Sequence, residues 1–326
     1  MLNWKVFDQD ATVWNHYLTA LSYFSIYQTY EWGEVKKNDG WYVVRLIGFD
    51  RDQETYSMAQ IFVKKLPFGG VFFWCPGGVM GKDLGLNMKS LKKILKFRFY
   101  YFRCSFHDPD ISLSVLEKLG WRKPTYSMNS NLAMALSLEA SEEDLLMQMS
   151  SNWRHNLKRF EKKEVMVEPW IDPDASTLFA YYQKFESLKK LSQQHSQASI
   201  EETIKKFGRN LIIYRAFNKD GELLALRGYI LAGTRALDWY AISTESGRSC
   251  YASYGVLWRI IRDAKTRGIL FYDLSGVDPV GNAGVYNFKK GAGAYEVRYP
   301  GEFEKASFFL LKIVVNFLLK KRLSIS

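Results

Sequence analysis

Residues suited to binding negative charge cluster near the end of the chain, in the stretch VYNFKKGAG at residues 285–293. Two lysines, Lys289 and Lys290, stand there between two aromatic residues and two glycines. The aromatic residues are Tyr286 and Phe288, and the glycines are Gly291 and Gly293. Glycine lets backbone approach a ligand closely, and it adopts the positive φ of an anion-binding nest of amides. We therefore predict that this segment holds an anion, or an oxyanion formed during a reaction, against bare backbone. A lysine pair on a turn at a strand end is the alternative interpretation.

A second concentration of positive charge lies in residues 153–163. The only acid there is Glu161, whereas five residues are cations: Arg154, Lys158, Arg159, Lys162 and Lys163. Several of them are four residues apart, so on a helix each such pair would cost a few tenths of a kcal/mol, roughly, through repulsion. A bound polyanion relieves this repulsion. The pattern predicts a polyanion-binding face, with a solvated amphipathic surface as the alternative.

Smaller groups of residues also have spacings suited to binding. Gln28, Trp32 and Lys36 follow one another at a spacing of four, so on a helix they share one face. Trp32 there contacts a ligand or packs in the core. Asp273 lies near the end of the strand predicted for YDLSG. Its carboxylate either orients an amine nucleophile or acts as its base, or it only hydrogen-bonds the turn. Tyr251 and Tyr254 open a predicted helix, where they line an acceptor channel or pack against neighbours.

Composition narrows the classes of partner and site. The 326 residues carry a formal net charge of +11, which favours nucleic acid, a phosphorylated substrate or an anionic membrane face. The three cysteines and four histidines lack the spacings of a disulfide framework or a metal site, so we expect no metal. The first residues do not resemble a secretory signal. We expect a cytoplasmic protein.

Two passes of strands and helices must position these residues. The sequence predicts the same order of elements twice, over residues 41–136 and again from Leu211 onward. Each time the order is three strands, a helix and a further strand. The second pass contains a predicted helix over residues 252–266. Between the passes, Ser141 caps a long helix whose apolar face continues to Phe160. This order favours an α/β (α+β) protein with a duplicated unit, as in acyl-CoA N-acyltransferase (GNAT) sheets.

The last part of the chain predicts an apolar helix. Residues 306–319 are too few to span a bilayer, and Lys312, Asn316 and Lys320 form one polar stripe on it. We expect this helix to be buried against a domain. A peripheral contact of residues 306–322 with anionic lipid, at the inner face of the cell membrane, is the alternative.

Three ordered segments resemble the FemABX family of peptidoglycan interpeptide-bridge aminoacyltransferases. They are QTYEWGEVKKNDGW (residues 28–41), SSNWRHNLKRFEKKEV (150–165) and YDLSGVDPVGNAGVYNFKKGAGAYEVRYPGEF (272–303). The resemblance implies two GNAT-like domains, each a mixed twisted sheet flanked by helices. We place them at residues 1–140 and 141–303, with a C-terminal helix at 304–322 packing on the first domain.

The resemblance also implies a reaction and its participants. Enzymes of this family transfer an amino acid from aminoacyl-tRNA to an amine on a nucleotide- or lipid-linked peptidoglycan precursor, without metal or CoA. We expect a monomer that contributes to cell-wall synthesis and cell shape. Lys289 matches the lysine that stabilises charge during transfer, and Lys36 matches a lysine that binds precursor phosphates. The cations of residues 154–163 would then bind tRNA.

Two rival functions remain at this stage. A CoA-dependent N-acyltransferase of the GNAT superfamily, acting on a capsular or lipid-linked sugar amine, needs a glycine-containing pyrophosphate loop before a helix. Residues 248–253 read RSCYAS, with Tyr251 where the first glycine should stand, which disfavours CoA. A non-catalytic RNA-binding protein would use only the basic face and would not need Lys289.

Overall fold

A computed structural model describes residues 2–52, 56–86, 88–189, 193 and 195–323. The strands are β1 (Asn3–Val6), β2 (Tyr42–Phe49), β3 (Tyr56–Leu66), β4 (Gly70–Gly77), β5 (Met80–Gly81), β6 (Phe99–Phe106), β7 (Leu132–Ser137), β8 (Met166–Pro169), β9 (Leu211–Phe217), β10 (Leu223–Ala232), β11 (Arg235–Ser243), β12 (Phe271–Gly276), β13 (Tyr295–Arg298) and β14 (Gly301–Ala306). The helices are α1 (Ala11–Thr19), α2 (Tyr30–Asn38), α3 (Met88–Leu95), α4 (Leu113–Lys118), α5 (Glu142–Gln148), α6 (Ser151–Glu161), α7 (Ala175–Lys189), α8 (Gln197–Phe207), α9 (Glu245–Ser249), α10 (Ala252–Thr266), α11 (Ala283–Gly291) and α12 (Phe309–Leu323).

The chain divides into two compact units. The first comprises the residues up to 131 and those from 298 onward, and the second comprises residues 132–297. The first boundary precedes β7, whereas the sequence predicted it at residue 140, because β7 pairs with β12 of the second unit. The second boundary falls at 298 rather than 303.

The first unit is built on a mixed sheet with the strand order β1-β2-β3-β4-β6-β14, and β5 pairs with β3. β4 and β6 run parallel, and β14 pairs antiparallel with β6. The core between this sheet and its helices is rich in aromatic side chains. Trp121 packs edge-on against both Phe102 and Phe106 of β6, and all three are fully buried.

The second unit has a mixed sheet with the order β13-β7-β12-β11-β10-β9-β8. β11 and β12 are its parallel pair, and β10 lies antiparallel to both β9 and β11. The long helix α10 packs against this sheet and against α6. Gly255 makes the approach of α6 possible, because a Cβ atom there would lie 2.1 Å from the ring of Phe160. The predicted α/β class is confirmed.

Two helix predictions need correction. The single helix expected from Ser141 to Phe160 is two helices, because Met149 adopts an extended conformation and Ser150 caps α6 by accepting a hydrogen bond from the amide of Trp153. The segment 285–293, for which the sequence favoured an anion-binding nest over a turn at a strand end, lies mostly in α11, which Asn282 caps.

The C-terminal helix α12 contacts the first unit, but the expectation that residues 306–319 are buried is wrong for most of them. Leu311 and Val315 pack with Tyr101 in a small buried cluster. Much of the remaining apolar surface is exposed. Among the described residues, none of the helices combines the length and the apolar character needed to cross a bilayer.

Candidate active site

A cavity of about 560 Å³ lies in the second unit. Its lining comes from β10, β11, the segment from α9 into α10, and α11. β11 pairs with β12 only through residues 235–237, and four of its later residues line the cavity instead: Asp238, Ala241, Ile242 and Ser243. The cavity therefore lies where the two parallel strands stop pairing.

Lys289 is a buried cation of this cavity. It projects from α11, is 6% exposed, and lines the cavity. Its Nζ atom donates hydrogen bonds to the carbonyl oxygens of Gly276 at 3.0 Å and Ser275 at 3.4 Å. Ser275 has a left-handed φ of 71°, and its amide donates to the carboxylate of Asp273 at 2.7 Å. Asp273 thus shapes the turn whose carbonyl groups hold Lys289.

An ion pair lies in the wall of the same cavity. Arg227 donates to both carboxylate oxygens of Asp238, at 2.7 and 2.8 Å, and Tyr272 donates its hydroxyl to Asp238 at 3.0 Å. The Arg227 and Asp238 side chains are 9% and 8% exposed. Burial opposes the charge of Arg227, but Asp238 and Tyr272 outweigh it, so the pKa of Arg227 is raised. The pair is charged and held in a two-point geometry.

The surroundings of Lys289 change its acidity. Burial lowers its pKa from 10.5 to about 8; Asp238 and Asp273 work against this change, and Arg227 adds to it. At neutral pH Lys289 therefore remains mostly an ammonium ion, but one that water solvates poorly. Such a cation interacts strongly with a negative charge that forms beside it.

Aromatic side chains form the apolar part of the cavity. Tyr254 and Phe288 line it and pack edge-on, with ring centroids 5.1 Å apart, and Trp153 lies behind both. Tyr251, at the start of α10, also lines the cavity. Its hydroxyl accepts a hydrogen bond of 2.7 Å from Arg159 of α6.

Several predicted site residues do not line the cavity. Tyr286 instead hydrogen-bonds Glu296 at 2.7 Å. Gly291 and Gly293 face the α5–α6 segment, where a Cβ atom on Gly291 would lie 3.1 Å from the Trp153 ring. Gly291 therefore permits close packing on α6, whereas Gly293 has a left-handed φ of 87° and its amide donates to the carbonyl of Lys290 at 3.1 Å. The nest of amides stays a prediction.

The predicted basic face lies on and just after α6. Lys158, Arg159, Lys162 and Lys163 are exposed, and Arg154 is half-buried. The three lysines take part in none of the salt bridges found among the described residues. Arg154 donates to the carbonyl of Met147 at 3.4 Å and Arg159 to Tyr251, while the three lysines are exposed to solvent.

Lys36 and Trp32 belong to the first unit. Both lie on α2, and the Lys36 ammonium stands 4.6 Å from the centre of the buried Trp32 ring. Lys36 also pairs with Asp39 at 2.6 Å. The helical spacing predicted for these two residues is present, whereas Gln28 precedes the helix and is a buried structural amide that bonds the carbonyl of Pro76.

Sequence reasoning missed Arg227 and Asp238. Each stands in a strand of otherwise mostly apolar residues, LLALRGYILA and RALDWYAIS. Charged residues are rarely buried in such strands unless they are paired, so this pattern was the available signal. Pairing them required the antiparallel register of β10 and β11, with its irregularity at Gly228 and Tyr229.

Comparisons with known proteins show which family and which folds this chain is similar to. Residues 174–318 match the model of the FemAB family. The solved structure of FemX is 16% identical with a TM-score of 0.78, covering 92% of this chain and 96% of that one. A tandem GNAT protein from the clavulanic acid biosynthesis pathway is 11% identical with a TM-score of 0.50, covering 95% and 99%. No curated protein sequence gives a significant match. The predicted pair of GNAT-like units is confirmed.

Replacing Lys289 by methionine should stabilise the protein at neutral pH. The unfolded chain keeps this proton up to about pH 10.5, but the folded protein releases it above about pH 8, so stability rises with pH between these values. Lys289→Met removes the cost of the buried charge and should raise the free energy of unfolding at pH 7 by about 1–3 kcal/mol, less whatever the two lost hydrogen bonds contributed.

Denaturant unfolding at pH 7 and pH 10 measures this effect. Lys290→Met, at the exposed neighbouring lysine, is the matched control and should change stability by less than about 0.5 kcal/mol. The gain from Lys289→Met should shrink at pH 10. Equal destabilisation at both pH values would contradict the assignment of a buried charge.

Proposed function

We propose that this chain is a FemABX-type transferase that moves an amino acid from aminoacyl-tRNA to an amine of a peptidoglycan precursor peptide. The family match of residues 174–318 and the fold support this proposal. The observation that carries the proposal is the buried ammonium of Lys289 in the cavity of the second unit. The proposal needs no metal or CoA, because the donor is an activated ester already.

The charge on Lys289 suits acyl transfer from an ester. The acceptor amine attacks the carbonyl carbon of the ester, and the carbonyl oxygen becomes an oxyanion. The tetrahedral intermediate then expels the tRNA hydroxyl group as the amide forms, and the amine loses its proton. An ammonium group has three N–H donors, and two of them point to Ser275 and Gly276. The third is available to the oxyanion, which would be stabilised in a site with little water.

Of the two roles predicted for Asp273, this proposal adopts the one in which its carboxylate hydrogen-bonds the turn. Its carboxylate already accepts the amide of Ser275, so it supports the turn that holds Lys289. Asp238 is the carboxylate that lines the cavity, where it balances Arg227 and favours the charged form of Lys289. We therefore propose Lys289 as the catalytic group and Asp273 as a positioning residue.

The basic face of α6 supports a tRNA donor. Arg159 connects this face to the cavity through the hydroxyl of Tyr251. A polyanion bound along Lys158 and Lys162 would therefore lie beside the cavity, where its esterified end can enter. Backbone phosphates are the natural partners of such exposed lysines.

The start of α10 disfavours CoA as the donor. Tyr251 occupies the N-cap position with a left-handed φ of 62°, and its side chain lines the cavity. A pyrophosphate binds at a helix N-terminus only when bare backbone can approach it, and the phenol ring of Tyr251 stands in that place. The aromatic lining fits an aminoacyl group or the terminal base of a tRNA.

The acceptor in this proposal is a nucleotide- or lipid-linked wall precursor. Lys36 and Trp32 are the proposed contacts for its phosphates and sugar in the first unit. The ammonium of Lys36 is held over the Trp32 ring and beside Asp39, which fixes its position before any ligand binds.

Transfer should depend on intact tRNA and on Lys289. Purified protein, tRNA charged with labelled amino acids, and an extract of nucleotide- and lipid-linked precursors should give labelled precursor. Lys289→Ala should lower the rate by about 10² or more, as for loss of one oxyanion donor. RNase should abolish transfer. Label arriving from acyl-CoA instead, or full activity of Lys289→Ala, would contradict the proposal.

The pH dependence separates a cationic from a basic role for Lys289. The rate should fall as pH rises through about 8, because Lys289 loses its proton there. Lys289→Arg keeps the cation and should remove this fall, even if its maximal rate is lower. Initial rates, corrected for spontaneous ester hydrolysis, provide the measurement. A wild-type rate that keeps rising beyond pH 9 would exclude the cationic role.

Charge reversal on the basic face should weaken binding of charged tRNA. Lys162→Glu should lower the affinity and reduce the slope of log K against log salt by about one or more. Lys205→Glu, at an exposed lysine on α8, is the matched control and should have little effect. Filter binding over a salt series gives both quantities, and equal effects of the two variants would rule out a specific tRNA face.

A further inference from the structure

The C-terminal helix α12 is amphipathic with its polar side turned inward. Asn316 donates to Glu304 at 2.7 Å and accepts from Arg103 at 3.0 Å, and all three side chains are buried. Lys312 lies 3.9 Å from Glu304 on the same side. Arg103 also pairs with Glu302 at 3.1 Å, so the network anchors α12 to β6 and β14. Because buried charges must stay paired, this network fixes the rotation of the helix.

The opposite face of α12 is apolar and exposed. Its members recur in pairs every four residues along the helix, and each is between 46% and 75% exposed: Phe309, Leu310, Ile313, Val314, Phe317 and Leu318. We call these six residues the outer face of α12. A contiguous patch of this kind is unusual on a soluble monomer and indicates an interaction surface.

Phe68 extends this apolar surface. It is 87% exposed at the tip between β3 and β4, where its backbone has a left-handed φ of 57°. The next strand residue, Gly70, is paired with Phe99, and the Phe99 ring lies 5.7 Å from the ring of Phe308 beside the start of α12. The tip and the helix start are therefore at the same edge of the sheet.

The charge around this edge is positive. No acidic residue occurs from residue 84 to residue 107, a span with five cations besides the buried Arg103, and none occurs after Glu304. Exposed cations of the edge stand on the β3–β4 tip, on α3 and before β6: Lys64, Lys65, Lys92, Lys93, Lys96 and Arg98. Arg98 donates its amide to the carbonyl of Gly69 at 2.8 Å, so this basic segment adjoins the tip of Phe68.

We propose that the outer face of α12, together with Phe68 and the surrounding cations, docks onto a bilayer that contains anionic lipid. An exposed apolar face beside clustered lysines matches the two requirements of interfacial binding, which are buried apolar area and attraction to anionic headgroups. At 15 residues, α12 is about 22 Å long, too short to span, so it lies in the plane of the interface. The proposal rests on this surface and does not depend on the transfer reaction.

Vesicle binding tests the surface without any activity measurement. The full chain is sedimented with phosphatidylcholine vesicles that contain or lack phosphatidylglycerol, at low and high salt. We expect binding to the anionic vesicles, weakened by salt. Phe317→Glu and Phe68→Glu should each weaken it about tenfold or more, because each removes a large apolar contact and adds a repelled charge. Ile171→Glu, at an 83% exposed residue of the second unit, is the matched control and should bind as wild type.

Two further results decide the outcome. Thermal unfolding of the two phenylalanine variants should match that of wild type, because both side chains are exposed. The variant Lys96→Glu leaves the apolar face intact and should weaken only the salt-sensitive part of vesicle binding. No binding of the wild type, or equal binding of Phe317→Glu and Ile171→Glu, would overturn the proposal. A dimer in solution that Phe317→Glu dissociates would overturn it as well, since a second copy would then cover the face.

Discussion

The chemistry proposed for this protein depends on one electrostatic constraint, which is the burial of a lysine charge beside an ion pair. Lys289 lies within a cavity whose wall also contains Arg227 and Asp238. Asp238 favours the charged form of Lys289, whereas burial and Arg227 oppose it. The balance leaves a cation that is still mostly protonated at neutral pH but poorly hydrated. Such a group costs folding free energy and stabilises an oxyanion well, so the same burial has opposite effects on stability and on catalysis.

The fold supplies this environment through an interruption of the second sheet. β11 leaves β12 after residue 237, and the turn at the end of β12 directs two carbonyl groups at Lys289. Its left-handed residue, Ser275, is held by Asp273. Close packing of α6 on α10 places the basic face next to Tyr251 at the cavity. The basic face and the buried cation thus lie within one unit.

Sequence patterns predicted the local elements better than their partners. Residues 252–266 were predicted as a helix with the bounds of α10, because apolar periodicity alone defines such an element. The glycines after Lys289 suggested an anion-binding nest, but Gly291 packs against Trp153 of α6. The Arg227–Asp238 pair depends on strand register, and the inward polar side of α12 depends on a buried partner, Glu304. A polar stripe in sequence does not show which side of a helix meets the core.

The most direct test is a titration of Lys289 itself. Lysine labelled with ¹³C at Cε gives one NMR signal per residue, and the signal missing from Lys289→Arg identifies position 289. We predict a pKa of about 8 for Lys289. We expect a lower pKa in Asp238→Asn, because a neutral amide replaces the carboxylate that favours the charged lysine. A value near 10.5, unchanged by Asp238→Asn, would show that Lys289 is solvated and would contradict the buried cation from which the mechanism follows.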